Sequence, residues 1–165
     1  MRILGLDPSL SSTGWGIIEV EQNHLRHIAD GIVKTTPQTE LPARLAMLHQ
    51  GICDVIERYH PDEAAIEQVF LNSNPFSTLK LGQARGVVLL APARYGISVT
   101  EYEPNKIKKA VVGVGHADKN QVETMVKVFL PGCKPRNNDS SDALAIAICH
   151  YNFRQTNRIY NQLHP

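Results

Sequence analysis

Four acidic side chains stand where the surrounding sequence predicts that they converge, and we call them the acidic quartet: Asp7, Glu67, Asp139 and Asp142. Asp7 closes the first apolar run of the chain, and Glu67 lies between Ile66 and Val69 near the end of another. A carboxylate in an apolar strand needs a partner or a metal ion. Oxygen-only ligands suit Mg²⁺ or Mn²⁺, and such ions support phosphoryl chemistry. The quartet therefore predicts a metal site.

Each of these acids also has an ordinary structural explanation when it is taken singly. An Asp after a strand is usually a turn residue, Asp139 could cap a helix, and Asp142 could interact with the helix dipole in the first turn. Their i, i+3 spacing puts Asp139 and Asp142 on one helix face. An ordinary structural role explains Glu67 least well, because its neighbour in a parallel sheet would be another acid, Asp7. Two such carboxylates repel, so we expect raised pKa values unless a cation neutralises them.

The elements that must position the quartet follow from the hydrophobic pattern. It predicts strands over residues 2–7, 15–20, 25–35, 64–69 and 97–102. It predicts helices over residues 42–59, 77–94, 105–112, 118–130 and 139–153. The first three strands read as an antiparallel meander, and the helical crossover returns the fourth strand parallel to the first. The fold class is therefore mixed α/β, with Asp7 and Glu67 at one edge of the sheet.

Length and composition favour one globular domain. The chain has 165 residues, of which 42% are hydrophobic and 20% charged, and this excludes disordered, collagenous and coiled-coil classes. We expect the domain to span residues 1–154 and a polar, frayed tail to span residues 155–165. No apolar run is long enough for a membrane span and the first residues lack a signal-peptide profile, so we expect a cytoplasmic protein.

Cysteine and histidine spacing gives no metal motif. The three cysteines form an odd set without a CxxC pair, which favours reduced thiols over disulfides or a zinc knuckle. His116, in a glycine-flanked loop, could touch a phosphate. The other histidines are scattered without ligand spacing, and the positions of His24 and His27 near a turn predict that both lie on the surface.

Charge is distributed unevenly along the chain. Residues 1–67 hold ten acidic and five basic side chains, whereas residues 68–165 hold six acidic and twelve basic ones. The net charges of the two parts are therefore −5 and +6. This asymmetry indicates an anionic partner, such as nucleic acid, for the C-terminal part.

Five short runs together resemble one family, the bacterial Holliday-junction resolvases of the RuvC type. In chain order they are GLDP at 5–8, AIEQVF at 65–70, LGQARG at 81–86, VVG at 111–113 and DSSDALA at 139–145. The resemblance covers the chain to about residue 151. Ser9 departs from a common glycine, and Ser140 and Ser141 depart from common alanines, but none of these changes affects the quartet.

The resemblance implies a ribonuclease H-like fold, with a mixed five-stranded sheet of an antiparallel meander plus parallel strands, flanked by helices. It implies a homodimer that nicks opposing strands of a four-way junction in recombination and repair, leaving 5′-phosphate and 3′-hydroxyl ends. The acidic quartet would be catalytic and would bind Mg²⁺, with Mn²⁺ as a substitute and two ions per site. The branch-migration motor proteins RuvA and RuvB are the implied partners.

The resemblance also implies a set of DNA contacts. Lys108 and Lys119 match lysines beside the active site, and Phe70 matches an exposed aromatic that packs on opened bases. Lys80 and Arg85 could bind phosphates, although Arg85 could equally serve a structural ion pair. The predicted helix over residues 77–94 is apolar on several faces, more than one side of a sheet should cover, and this indicates a subunit contact.

Three other functions compete with this one. Another ribonuclease H-like nuclease could use the same acids on an RNA/DNA hybrid. A junction-binding protein that does not cut would leave four acids facing phosphate without a purpose. An actin-like nucleotide binder also opens on a Gly-x-Asp strand, but such proteins need about twice this length.

Overall fold

A computed structural model describes residues 1–69 and 74–163, in which ten elements form one mixed sheet flanked by helices. The strands are β1 (Arg2–Asp7), β2 (Ser12–Glu21), β3 (His24–Lys34), β4 (Glu63–Glu67) and β5 (Ser98–Tyr102). The helices are α1 (Leu41–Tyr59), α2 (Pro75–Arg94), α3 (Pro104–Val112), α4 (Lys119–Phe129) and α5 (Asn138–Leu163). The strand order is β3-β2-β1-β4-β5, with antiparallel β1–β2 and β2–β3 pairs and parallel β1–β4 and β4–β5 pairs. The predicted sheet is confirmed.

Alternation along the strands sorts the core onto the two faces of the sheet. Ile3 and Ile18 pack with residues of α3, α4 and α5, whereas Leu4 and Ile17 pack with residues of α1 and α2. Successive side chains of a strand point to opposite faces, so each strand feeds both layers. Burial of both faces explains the near-continuous apolar run of β1.

Two glycines let α5 lie directly against the sheet. A Cβ atom added at Gly5 would lie 1.9 Å from the carbonyl oxygen of Ala143, and one added at Gly14 would lie 2.1 Å from that of Asp139. No side chain fits at either distance. The backbone of α5 therefore crosses β1 and β2 at the level of the quartet.

Some predicted bounds are wrong. β4 ends at Glu67 rather than residue 69, because its partner β5 ends at Tyr102, whose carbonyl accepts one last hydrogen bond from the Gln68 N–H. α5 continues to Leu163 rather than residue 153, since neither glycine nor proline interrupts residues 139–164. Residues 155–163 thus continue α5, and residues 164–165 lie outside the described part. None of the described helices has the length and apolar character needed to cross a bilayer.

Candidate active site

Asp7 and Glu67 lie at the ends of two adjacent parallel strands. The register pairs Leu6 with Ile66, so the last residues of the two strands, Asp7 and Glu67, lie at the same edge of the sheet. Both residues are half-buried, because α5 packs against β1 and β4. The topology predicted from the crossover helix is confirmed by this pairing.

Asp139 and Asp142 come from the first turns of α5. Asn137 caps this helix: its Oδ1 accepts a hydrogen bond from the Ser140 N–H at 2.8 Å, and the Asn137 N–H donates to Ser140 Oγ at 3.2 Å. The alternative that Asp139 is the cap is therefore wrong. The Asp139 carboxylate is free to face β2, where its Oδ2 accepts a hydrogen bond from the Ser12 hydroxyl at 2.5 Å.

A cleft of about 450 Å³ opens at this edge of the sheet. Three members of the acidic quartet line it, namely Asp7, Glu67 and Asp142, and Lys108 and Lys119 line its other side. Asp139 acts on the cleft through its charge, which raises the pKa of Asp7 and of Asp142. All four predicted acids and two of the predicted basic residues thus belong to one site.

The carboxyl groups of the cleft hold their protons more tightly than isolated ones. Burial raises the pKa of Asp7 to about 8, and the charges of Glu67, Asp142 and Asp139 add to the effect. Burial, followed by the charge of Asp142, also raises the pKa of Glu67. Burial likewise raises the pKa of Asp142, and Lys119 opposes this shift. The expectation of raised pKa values is confirmed.

This excess of negative charge fits a divalent cation. Lys108 and Lys119 both lower the pKa of Glu67 and of Asp142, but they do not cancel the effect of burial. Hard carboxylate oxygens without nitrogen or sulfur donors are the set that Mg²⁺ and Mn²⁺ prefer. The residues of the cleft therefore match the ion that the sequence predicts.

The helix geometry brings Lys119 to Asp142. Asp118 caps α4 in a reciprocal pair with Gln121, which makes Lys119 the first residue of the helix. Its Nζ lies 3.7 Å from Oδ2 of Asp142, and its side chain is 77% exposed. An exposed ammonium at the mouth of an acidic cleft is available to an incoming phosphate.

The remaining predicted DNA contacts lie elsewhere. Lys80 is exposed on α2, and the Arg85 guanidinium forms an ion pair with Glu101 of β5, which is the structural alternative for this residue. Neither residue lines the cleft that the described residues form. Phe70 lies outside the described residues.

Two residues of the site region gave no signal in the sequence. Ser12 is 127 positions from Asp139, so only the folded chain shows their hydrogen bond. Phe76 is in the first turn of α2, which Asn74 caps, and its ring is 79% exposed. Phe76 and Leu79, three positions apart on α2 and 79% and 61% exposed, form an apolar patch that indicates a contact with another molecule.

Comparison with known proteins gives the family of this chain. The family model of crossover junction endodeoxyribonuclease RuvC matches residues 3–150. The RuvC protein of Rhodospirillum rubrum is 56% identical over 154 residues, covering 93% of this chain and 91% of the relative, and that of Rhizobium johnstonii is 50% identical over 163 residues, covering 99% and 96%. The structure of T. thermophilus RuvC in complex with Holliday junction substrate matches with a TM-score of 0.89 at 32% identity, over 95% of this chain and 96% of that one. The implied fold is confirmed, and the chain belongs to the RuvC family of crossover junction endodeoxyribonucleases.

Proposed function

We propose that this protein is an endodeoxyribonuclease that resolves Holliday junctions by paired, symmetric, metal-dependent nicks during recombination and repair. The observation that carries the proposal is the cleft that half-buried carboxylates and two lysines line together. Family membership supplies the substrate class, since the related T. thermophilus protein was solved with a Holliday junction. Bacterial chromosomal DNA lies in the cytoplasm, where we place this activity.

We propose that the acidic quartet holds the catalytic ions. Mg²⁺, with Mn²⁺ as a substitute and two ions per site, would lower the pKa of the attacking water and stabilise the departing 3′ oxygen. The Ser12 hydroxyl fixes one oxygen of Asp139, and α5 fixes the spacing of Asp139 from Asp142. The products would carry 5′-phosphate and 3′-hydroxyl ends.

The lysines of the cleft are proposed to bind the scissile phosphate. Lys108 is half-buried on the cleft wall, and Lys119 is exposed at its mouth. Their charges complement a phosphate and the negative charge that develops on it during hydrolysis. We assign a further phosphate contact to exposed Lys80, a structural role to Arg85, and base stacking to Phe70.

The second copy needed for paired nicks is proposed to bind along α2. Phe76, Leu79 and Leu90 lie on one side of this helix and are 79%, 61% and 50% exposed. Covering them with the same face of another copy would give a two-fold dimer, which matches the symmetry of a four-way junction. RuvA and RuvB remain proposed partners on the strength of the family resemblance alone.

Cleavage of a synthetic junction tests the function. An end-labelled four-way junction, a linear duplex and an RNA/DNA hybrid are incubated with the wild type and with Asp7→Asn, in Mg²⁺ or in chelator. We expect symmetric nicks only in the wild-type junction sample that contains Mg²⁺, with junction affinity retained by Asp7→Asn. Faster cutting of the hybrid would support another ribonuclease H-like nuclease, and binding without nicks in Mg²⁺ and Mn²⁺ would support a junction-binding protein.

A further inference from the structure

Three potential metal ligands meet on the β3 side of the sheet, away from the acidic quartet. They are His27 and Asp30 of β3 and Cys133 of the segment between α4 and α5, and we call them the β3 cluster. One ligand atom from each lies within 4.8 Å of those of the other two. Because 106 positions separate His27 from Cys133, their spacing in the sequence gave no sign of this cluster.

Two of the three residues of the β3 cluster are buried, and its carboxylate is held in place. Asp30 is 4% exposed and Cys133 is 6% exposed. Oδ1 of Asp30 lies 2.9 Å from Nε2 of His27, and Oδ2 accepts a hydrogen bond from the Arg136 N–H at 2.9 Å. The prediction that His27 is an ordinary surface residue is wrong, since its side chain is only 24% exposed. The same prediction for His24 is confirmed, because His24 is exposed.

A solvent-filled hollow reaches this cluster from outside. It has a volume of about 570 Å³, and its wall includes His27 and Cys133. An ion could enter by this route, and a water molecule could complete its coordination. The hollow is separate from the cleft of the quartet, with which it shares no lining residue.

We propose that the β3 cluster binds one zinc-class transition-metal ion through Cys133, His27 and Asp30, with solvent as the fourth ligand. Sulfur, imidazole nitrogen and carboxylate oxygen together suit Zn²⁺ and exclude Mg²⁺, which prefers oxygen ligands. The Cys133 thiol gives up its proton to solvent as its sulfur binds the ion. The quartet and the β3 cluster therefore select different metals.

The ligands need only a small movement to bind. Zinc bonds of about 2.0–2.3 Å in a tetrahedral site separate the ligand atoms by roughly 3.3–3.8 Å. Contacts as long as 4.8 Å must therefore close by about 1 Å, and the 2.9 Å between Nε2 of His27 and Oδ1 of Asp30 must open by about 0.4 Å. Coordination replaces the His27–Asp30 hydrogen bond. The Arg136 N–H still orients the carboxylate through Oδ2, as groups hydrogen-bonded to metal ligands do in known zinc sites.

The position of the β3 cluster gives the ion a structural effect. Cys133 and Arg136 belong to the segment that leads into α5, and α5 carries Asp139 and Asp142 in its first turns. A metal bond from Cys133 to β3 would tie this segment to the sheet. The bound ion would thus hold the start of α5, and with it half of the quartet, in place.

Cobalt spectroscopy tests this site separately from nuclease activity. Co²⁺ is added to the wild type, Cys133→Ser and a control variant, Cys53→Ser, which alters a buried cysteine of α1, in excess Mg²⁺ that occupies the quartet. We expect one Co²⁺ per chain, with a near-ultraviolet thiolate-to-cobalt band in the wild type and Cys53→Ser only. Carboxylates give no such band, so metal at the quartet cannot produce it. A wild type without the band, or a Cys133→Ser variant that keeps it, overturns the proposal.

A second variant guards against a folding artefact. His27→Gln keeps the thiol and is checked by circular dichroism beside Cys133→Ser. We expect its zinc affinity to fall by more than the roughly 10- to 100-fold that is lost when a group hydrogen-bonded to a metal ligand is removed. We also expect Zn²⁺ to raise the melting temperature of the wild type but not of Cys133→Ser, since an ion that binds only the folded state stabilises it. Unchanged zinc affinity in a folded His27→Gln variant contradicts the site.

Discussion

The Ser12 hydroxyl donates a hydrogen bond of 2.5 Å to Oδ2 of Asp139. This bond joins the start of β2 to the first turn of α5. Hydrogen bonds to charged groups contribute about 1.5–3 kcal/mol. For Ser12→Ala we expect a cleavage rate lower by about tenfold, equivalent to about 1.4 kcal/mol, with unchanged junction affinity. Single-turnover cleavage and a binding assay separate the two quantities.

Ser12→Thr is the matched control for this position. It keeps the hydroxyl and suits a strand, so we expect it to cleave at nearly the wild-type rate. If Ser12→Ala also cleaves at that rate, the hydrogen bond does not position Asp139.

The raised pKa of Asp7 predicts that its charge destabilises the metal-free protein. The unfolded chain releases this proton near its ordinary pKa of 3.8, whereas the folded chain keeps it until about pH 8. Raising the pH across this window therefore lowers the free energy of unfolding. Asp7→Asn removes the effect, so in chelator at pH 8 we expect it to melt about 5 °C or more above the wild type.

Thermal melting over a pH series checks this prediction. The difference between the wild type and Asp7→Asn should shrink as the pH falls and vanish below 3.8, where Asp7 is protonated in the unfolded chain as well as in the folded one. Mg²⁺ should raise the melting temperature of the wild type more than that of the variant. Equal melting temperatures at every pH would show that Asp7 is not held in its neutral form.

Local patterns were enough to predict the sheet and the four acids. β1 has the bounds that its apolar run predicts, and the crossover helix α1 requires β4 to lie parallel to it. From this pairing alone, Asp7 and Glu67 must meet. The i, i+3 spacing of Asp139 and Asp142 predicts their shared helix face in the same way.

Contacts between distant parts of the chain could not be predicted. No periodicity relates Ser12 to Asp139, or His27 to Cys133, because each pair depends on how whole layers pack. The length of α5 was missed for the opposite reason: its polar end lacks an apolar stripe, but nothing in it stops a helix. Arg85 could contact either Glu101 or DNA, and charge alone does not choose between them.

The close approach at Gly14 predicts a severe effect of one methyl group. In Gly14→Ala the new Cβ would lie 2.1 Å from the Asp139 carbonyl oxygen, so α5 must shift. We expect a loss of about 1–3 kcal/mol in the free energy of unfolding, measured by urea denaturation, and loss of cleavage. Gly82→Ala, in α2 with no atom within 4 Å of its new Cβ, should instead be neutral or stabilising. Equal stability of the two variants would contradict the packing of α5 on β2.

Removal of the charge at the cleft mouth should affect both DNA binding and pH dependence. Lys119 lowers the pKa of Asp7 and of Asp142, so in Lys119→Gln we expect the cleavage profile to shift to higher pH. If Lys119 contacts a phosphate, the slope of log affinity against log salt should also fall by about 0.9. Lys127→Gln alters the same helix at a lysine paired with Glu123, and it should change neither quantity. If the two variants have the same pH profile of cleavage and the same salt dependence of affinity, Lys119 has no role at the site.

The exposed apolar side of α2 predicts a dimer that one charge disrupts. Leu79 is 61% exposed in the single chain, and a glutamate there would be buried without a partner if two copies pack along this helix. We expect Leu79→Glu to be monomeric by light scattering, and to leave singly nicked junctions where the wild type makes paired nicks. Val128→Glu is the control, because Val128 of α4 is 62% exposed and lies off this face. A Leu79→Glu variant that stays dimeric would place the subunit contact elsewhere on the molecule. A wild type that is itself monomeric at the concentrations used for cleavage would contradict the dimer.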